Sequence, residues 1–190
     1  MDVNEAIYHR RATRHFSDRP VGKAMVEELL RAATQAPSAL NLQPWAFAVF
    51  HGRALLQGLS QRAKSHLVAT LSPMFELHPA SQRYSETDFN VFYDAGTLIV
   101  IYATGRRFHP TEDCCLAAQN LMLAAHGAGL ATCPVGFVRP WFDLPEVKQE
   151  FGIPATCLAV FPVAVGYAAE PPAPVPRDEP DVVAWVWREE

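Results

Sequence analysis

Three stretches of the chain carry apolar residues at helical spacing. In each stretch the apolar side chains fall three or four positions apart, which places them on one face of a helix. Pro37 cannot continue the second helix because its nitrogen carries no hydrogen. The predicted helices lie in DVNEAIYHRR (2–11), KAMVEELLRAATQA (23–36) and RALLQGLSQRAKSHLVATL (53–71).

Two further helices are predicted in the second half of the chain. DCCLAAQNLMLAAHGAG (113–129) is apolar on almost every side, which indicates a central, buried helix that its glycines end. A short helix is predicted around PEVKQEFG (145–152). The mixed, polar region from Ser72 to Asn90 gives no clear assignment.

Strands are predicted where branched and aromatic residues cluster. TLIVIYA (97–103) is continuously apolar, as is typical of a strand covered on both faces. No internal repeat or linker interrupts the chain, so helices and strands are expected to form a single domain over 1–190. The other strand-like runs are WAFAVF (45–50), LATCPVGFV (130–138) and TCLAVFPVAVGYA (156–168).

The end of the chain is proline-rich and then apolar. EPPAPVPRDEP (170–180) is predicted to be extended, since proline fits neither a helix interior nor an inner strand. VVAWVW (182–187) is too apolar to remain in water, because burying it is worth several kcal/mol at about 25 cal/mol per Å². This C-terminal arm, about residues 169–190, packs either on its own domain or on a second subunit, and we favour the second subunit.

Composition narrows the possible partners. The chain has 190 residues, with 16 Lys and Arg against 20 Asp and Glu and a formal charge of −4. This charge disfavours general binding to nucleic acid or anionic membranes. The start of the chain lacks the pattern of a signal peptide, and no run is long enough for a membrane span, so a cytoplasmic location is expected. The four cysteines show no CxxC spacing and are expected to be buried free thiols.

Three arginines, Arg10, Arg11 and Arg14, form a local cationic cluster in RRATRHF (10–16). A helix end explains one or two of them, because basic groups offset the partial charge there, but not all three. The chain contains no GxGxxG, no GxxxxGK[ST], no GxSxG and no histidine pair at helical zinc spacing, so no metal site is predicted. An anion-binding cluster without a candidate general base favours a bound cofactor that supplies its own reactivity.

Four motifs resemble those of the FMN-dependent nitroreductase family, in that family's order and spacing. They are RRATRHF (10–16), APSALNLQPW (36–45), GLATCPVGF (129–137) and AVGYAAEPP (164–172). The resemblance implies an α+β fold with a central, mostly antiparallel sheet flanked by helices. It also implies an intertwined homodimer that holds FMN tightly at the interface, exchanges its C-terminal arms and uses NAD(P)H as co-substrate.

The resemblance also assigns the arginines. Arg10 and Arg11 would bind the phosphate and ribityl region of FMN, and Arg14 would lie near the pyrimidine side of the ring. Arg177 matches a C-terminal arginine that binds phosphate. Forked guanidinium donors suit a phosphate dianion, and a cation near N1 stabilises reduced flavin. Val175 stands where a lysine is common in the family, which removes one expected phosphate contact.

Two loops complete the expected site. Pro37, Ser38, Ala39 and Asn41 would reach the flavin from the second subunit. Ala39 replaces a serine that is usual in this loop, and Ala12, in the arginine motif, also stands where serine is frequent. Each lost hydroxyl contact weakens FMN binding by about 1 kcal/mol.

The third motif is expected along the edge of the flavin. Pro134, Val135 and Gly136 would lie there, with the backbone N–H groups of Val135 and Gly136 directed at N5 and O4. Taken alone, Gly136 is equally explained by a bulge or turn.

The resemblance implies two-step transfer from NAD(P)H through FMN to a small electron-poor acceptor such as a nitroaromatic or quinone, with ping-pong kinetics. Residues 72–90, with Phe75, Tyr84 and Phe89, are a candidate pocket cover; a surface helix packed on the core is the alternative. A specialised flavin reaction, such as dehalogenation or dehydrogenation, remains open, as does a flavin-binding or sensing module without turnover. A third alternative is a cofactor-free protein whose arginines serve a helix end and a dimer interface. The acceptor and the choice between NADH and NADPH are not determined by the sequence.

Overall fold

A computed structural model describes residues 2–70, 86, 88–105 and 108–188. Its central feature is a four-stranded sheet in the order β1-β2-β4-β3, in which every neighbouring pair is antiparallel. The strands are β1 (Trp45–His51), β2 (Thr97–Thr104), β3 (Ala131–Pro134) and β4 (Cys157–Gly166). The predicted α+β class and the antiparallel sheet are confirmed.

Helices cover both faces of the sheet. Asp2 caps the first helix, where its carboxylate accepts the N–H of Glu5 at 2.8 Å. The third helix matches its predicted extent to within one residue, and the fourth begins three residues earlier than expected, at Pro110. The α-helices are α1 (Val3–His9), α2 (Lys23–Ala33), α3 (Arg53–Thr70), α4 (Pro110–Gly127), α5 (Arg139–Phe142) and α6 (Pro145–Glu150).

Strand β2 divides the core into two layers. Its residues are buried nearly throughout, as the apolar run predicted. Alternate side chains face opposite sides: Val100 and Tyr102 pack with α3 and the segment around α5, whereas Ile99 and Ile101 pack with α2 and α4. The register of β2 against β4 shifts after Ile101, and this bulge leaves Val160 as the extra residue on β4.

Strand β3 is shorter than predicted. The expected strand ran from 130 to 138, but pairing ends at Pro134 and a 3₁₀ turn occupies Gly136–Val138. Val135 still donates its N–H to the carbonyl of Pro162 at 2.9 Å, so the chain leaves the sheet only after that residue. The turn directs the segment away from the edge of the sheet.

The segment after α1 runs beside β3 and the end of β4. Ala12 forms a parallel bridge with Thr132, and Phe16 forms an antiparallel bridge with Ala168. The N–H of Thr13 donates to the carbonyl of Thr132 at 3.0 Å, and the N–H of Ala169 donates to that of His15 at 3.0 Å. These bonds hold the arginine motif against the start of the C-terminal arm.

The arm itself contains neither helix nor strand from 169 to 188, as the prolines predicted. Its apolar end does not pack on its own domain: Val183 is 97 % exposed, Trp185 76 % and Trp187 75 %. Docking on a second subunit stays a prediction.

The described helices include none that combines the length and apolar character needed to cross a membrane. Three of the four cysteines are buried and all four are free, but Cys115 is exposed on α4, so the prediction of four buried thiols is wrong at that position. Most of the unassigned region, including Phe75 and Tyr84, lies outside the described residues. Phe89 is described and packs edge to face on Tyr93, with ring centroids 5.7 Å apart.

Candidate functional site

A cleft of about 630 Å³ lies between the arginine motif and the C-terminal arm. One wall comes from the segment that is bonded to β3, and the other from the extended arm. We call it the arginine cleft, and it is lined by Arg11, Ala12, Thr13, Arg14, His15, Glu170, Pro171, Pro172, Ala173, Val175 and Arg177.

A second, smaller cavity of about 220 Å³ adjoins the arginine cleft. The two share Arg11, Thr13 and Pro172 in their linings. We call it the small cavity, and it is lined by Arg10, Arg11, Thr13, His126, Gly129, Leu130, Ala131, Thr132, Ala168 and Pro172.

Three positively charged arginine side chains lie close together in this region. Burial lowers the pKa of Arg10, and the neighbouring Arg11 and Arg177 guanidinium groups lower it further. Among the described residues, no ion pair involves any of these three arginines. A multiply charged anion would relieve this repulsion, and a phosphate has that charge.

Two guanidinium atoms lack partners within the described residues. Arg10 Nη1 and Arg11 Nε are both buried without a hydrogen bond. Other donors are already used, because Arg11 Nη1 bonds the carbonyl of Arg10 at 2.8 Å and Arg177 Nη1 bonds that of Pro176 at 3.3 Å. Buried donors are nearly always satisfied in folded proteins. The residues present therefore fit a phosphate group, and these atoms are available to bind it.

Arg14 lines the arginine cleft but not the small cavity. Its guanidinium carbon is 5.9 Å from the centroid of the Tyr93 ring, a distance compatible with a cation–π contact. Arg10, Arg11, Arg14 and Arg177 line these two adjoining cavities, and the bridge between Ala12 and Thr132 holds the arginine motif beside β3.

The loop with Pro37, Ser38, Ala39 and Asn41 is elsewhere in the single chain and does not line the arginine cleft. It includes a 3₁₀ turn at Ala39–Asn41. Two side-chain contacts brace it: Ser38 Oγ accepts the N–H of Gln43 at 3.0 Å, and Gln43 Nε2 donates to Asn41 Oδ1 at 3.2 Å. The flavin contact expected from this loop, reaching over from a second subunit, stays a prediction.

A buried carboxylate anchors the same loop to α4. Both oxygens of Asp113 accept the N–H of Ala39, at 3.1 and 3.2 Å. Sequence reasoning missed Asp113, although an acidic residue at the start of an otherwise apolar helix was a signal.

The segment Pro134, Val135 and Gly136 also lies outside the linings of both cavities. The Val135 N–H donates to the carbonyl of Pro162 in the single chain, and the flavin contact expected from that group stays a prediction. Gly136 begins the 3₁₀ turn, which agrees with its structural explanation, and a Cβ added there would meet nothing within 4 Å. The flavin contact expected from Gly136 stays a prediction.

The family assignment follows from comparison with known proteins. Residues 7–167 match the nitroreductase family, a span that covers most of the chain. The chain belongs to that family. The membership that the four motifs suggested is therefore confirmed.

Two known proteins are similar to this chain in sequence, and a third is similar in structure. It is 30 % identical to a Methanothermobacter thermautotrophicus protein provisionally named NADH dehydrogenase/NAD(P)H nitroreductase, over 95 % of this chain and 85 % of the relative. It is 28 % identical to the chloronitrobenzene nitroreductase of Comamonas testosteroni, over 87 % and 86 % of the two chains. A crystal structure of a Bacteroides fragilis nitroreductase with bound FMN shares the fold, with a TM-score of 0.80, 23 % identity and full coverage of both chains.

Two more residues of this nitroreductase-family chain were missed at the sequence level. His126 and Thr132 line the small cavity, yet His126 sits in a stretch interpreted only as helix, and Thr132 sits in the third motif without a role of its own. No local pattern identifies them, because their proximity to Arg10 arises from the packing of α4 and β3 against the arginine segment.

Proposed function

We propose that the protein is an FMN-dependent NAD(P)H oxidoreductase that reduces a small, electron-poor acceptor such as a nitroaromatic or quinone. The observation that carries this proposal is the pair of buried guanidinium atoms, Arg10 Nη1 and Arg11 Nε, which lack partners among the described residues and lie at the arginine cleft and the adjoining small cavity. Membership of the nitroreductase family and the bound FMN of the Bacteroides fragilis relative support the choice of ligand.

In this proposal different arginines bind different parts of the cofactor. Arg10, Arg11 and Arg177 would bind the phosphate and ribityl region, and Arg14 would face the pyrimidine side of the ring. When bound, FMN supplies the ability to accept a hydride and pass electrons to an acceptor. The contribution of the chain is to neutralise the phosphate, orient the ring and place a cation beside it.

No side chain is assigned a catalytic role. The donor and the acceptor would occupy the same space over the ring one after the other, which gives ping-pong kinetics. Simultaneous binding of NAD(P)H and acceptor would contradict this order. A cytoplasmic location, where NADH and NADPH are both present, belongs to the same proposal.

We also propose that the functional unit is a homodimer of single-domain chains, 1–190. Two observations support it: the loop around Ser38 does not line the arginine cleft of its own chain, and the end of the arm exposes both its tryptophans. Strand β1 has no partner on its outer side among the described residues, and an apolar groove of about 390 Å³ beside it includes Phe50, Leu55 and Phe151. This groove is a suitable surface for the partner's arm.

The test is the visible spectrum of the purified protein before and after anaerobic addition of NADH or NADPH, with the released cofactor identified by mass. A flavin spectrum, the mass of FMN and bleaching on addition are the expected results. A protein that binds FMN without bleaching would instead be a flavin-binding module. A protein that neither contains nor binds FMN would overturn the proposal.

A further inference from the structure

Most of the unsatisfied buried side-chain polar atoms in the described part of the chain surround one cavity. Five such atoms lack a hydrogen-bond partner there. Tyr102 Oη lies apart, beside β1. The other four belong to residues that line the small cavity: Arg10 Nη1, Arg11 Nε, His126 Nε2 and Thr132 Oγ1.

These four atoms have the chemistry of an oxyanion site. Two are guanidinium nitrogens, and an imidazole nitrogen and a hydroxyl can each donate one further hydrogen bond. The cavity lining contains no aspartate or glutamate. Unsatisfied buried donors destabilise a fold, so four of them at one cavity indicate a ligand that bonds them.

The charges around His126 favour the same ligand. Burial lowers the pKa of His126, and the positive charges of Arg10, His9 and Arg11 lower it further, against a smaller opposing effect of Glu5. His126 is therefore neutral near pH 7 and adds a hydrogen-bond donor without adding to the repulsion between the arginines.

We propose that the small cavity receives the phosphate of the cofactor, and that His126 and Thr132 bind this phosphate together with Arg10 and Arg11. The inference rests on the proposed function, since it assigns the phosphate subsite of the same cofactor. The cavity joins the arginine cleft at Arg11, Thr13 and Pro172, so one ligand can extend from the first into the second.

The experiment compares FMN with riboflavin, which lacks the phosphate. Apoprotein of the wild type and of the His126→Ala and Thr132→Val variants is titrated with each flavin, and binding is followed by flavin fluorescence. Each variant is expected to raise the Kd for FMN about ten-fold, the loss of one hydrogen bond to a charged group, and to leave the Kd for riboflavin unchanged. His66→Ala and Thr34→Val, which lie on and beside helices outside both cavities, are the matched controls.

Stability of the apoprotein supplies a second readout. Thr132→Val removes an unsatisfied hydroxyl at nearly constant volume, so the Tm of the apoprotein is expected to stay level or rise while the FMN-induced increase in Tm becomes smaller. Inorganic phosphate is expected to raise the Tm of wild-type apoprotein more than that of either variant.

Two results would overturn the inference alone. Variants that bind FMN as tightly as the wild type would show that His126 and Thr132 do not contact the phosphate. Equal losses for FMN and riboflavin, with a lower apoprotein Tm, would show a structural role instead. Failure of the wild type to bind FMN at all would overturn the proposed function, and this inference with it.

Discussion

The ring of Phe16 lies directly against Gly166, where an added Cβ would come within 2.8 Å of the ring carbon Cδ1. Phe16 is the last residue of the arginine motif, and Gly166 ends β4 just before the arm. The bridge between Phe16 and Ala168 continues the same contact. This close approach joins the two segments that lead into the walls of the arginine cleft.

Gly166→Ala is expected to destabilise the protein by about 1–3 kcal/mol, because the buried ring of Phe16 must shift to admit a methyl group. FMN affinity should fall as well, since the two walls of the cleft move apart. Chemical unfolding and FMN titration measure the two effects.

Gly58→Ala is the matched control for this change. Gly58 lies within α3, and an added Cβ there would meet nothing within 4 Å. This substitution should stabilise the helix by about 0.5–1 kcal/mol. Equal stability of the two variants would contradict the role given to the contact between Phe16 and Gly166.

Arg177→Ala is expected to weaken FMN binding about 10- to 100-fold, the effect of losing a hydrogen bond to a charged group. The apoprotein should not lose stability, because the substitution removes a positive charge that lowers the pKa of Arg10. FMN titration measures the change in affinity, and thermal unfolding of the apoprotein measures the change in stability. Arg31→Ala, an exposed residue of α2, should change neither.

The double variant Trp185→Ser, Trp187→Ser is expected to weaken the dimer, because it removes the two exposed rings that we propose to dock on the partner subunit. Its helix content should stay unchanged, since neither ring packs on its own domain. Sedimentation across a concentration series measures the assembly. Leu158→Ser, at another exposed apolar position, is the control, and a dimer of undiminished strength in the tryptophan variant would contradict arm docking.

Asp113→Ala is expected to release the loop around Ala39 and cost about 1–3 kcal/mol, because it removes the acceptor of a part-buried N–H. Asp113→Asn keeps an acceptor and should cost less. If the loop contacts the partner's flavin as proposed, Asp113→Ala should lower FMN affinity more than Asp113→Asn does. Glu112→Ala, at the exposed neighbouring position, should leave FMN affinity unchanged.

Alkaline pH should destabilise the protein through Cys114. Burial raises the pKa of this thiol from 9.0 to about 12, with smaller contributions from Cys115 and Asp113. Between these two values the thiol stays neutral in the folded chain and ionises in the unfolded one, so its contribution is complete below pH 9 and is lost as the pH rises towards 12.

Cys114→Ala tests this dependence. The variant should lose stability less steeply than the wild type above pH 9, by at most about 1.4 kcal/mol per pH unit. Chemical unfolding at a series of pH values measures the slope. Parallel slopes in the two proteins would show that ionisation of another group dominates.

The fold was largely predictable because its elements have strong local patterns. The buried run of β2 and the helical spacing of α3 each identified an element almost to the residue. The end of β3 was not predictable, since the turn at Gly136 depends on a bond from Val135 to Pro162, a residue of another strand.

The site was predictable only in part. The arginine motif and Arg177 were assigned through a family resemblance, and the fold brings them together. Asp113 and His126 were missed because each acts on a segment far away in sequence, Asp113 on the loop at Ala39 and His126 beside Arg10. Contacts of this kind leave no periodic signal in the chain.

The two walls of the arginine cleft lie near opposite ends of the chain, at residues 11–15 and 170–177. During synthesis the first wall leaves the ribosome early, and the second follows only after every strand of the described sheet has been made. A cleft with both walls therefore exists only after the strands of the described sheet have been made. If FMN binds there as proposed, the sheet precedes the cofactor, and FMN is loaded after folding has begun rather than acting as its template.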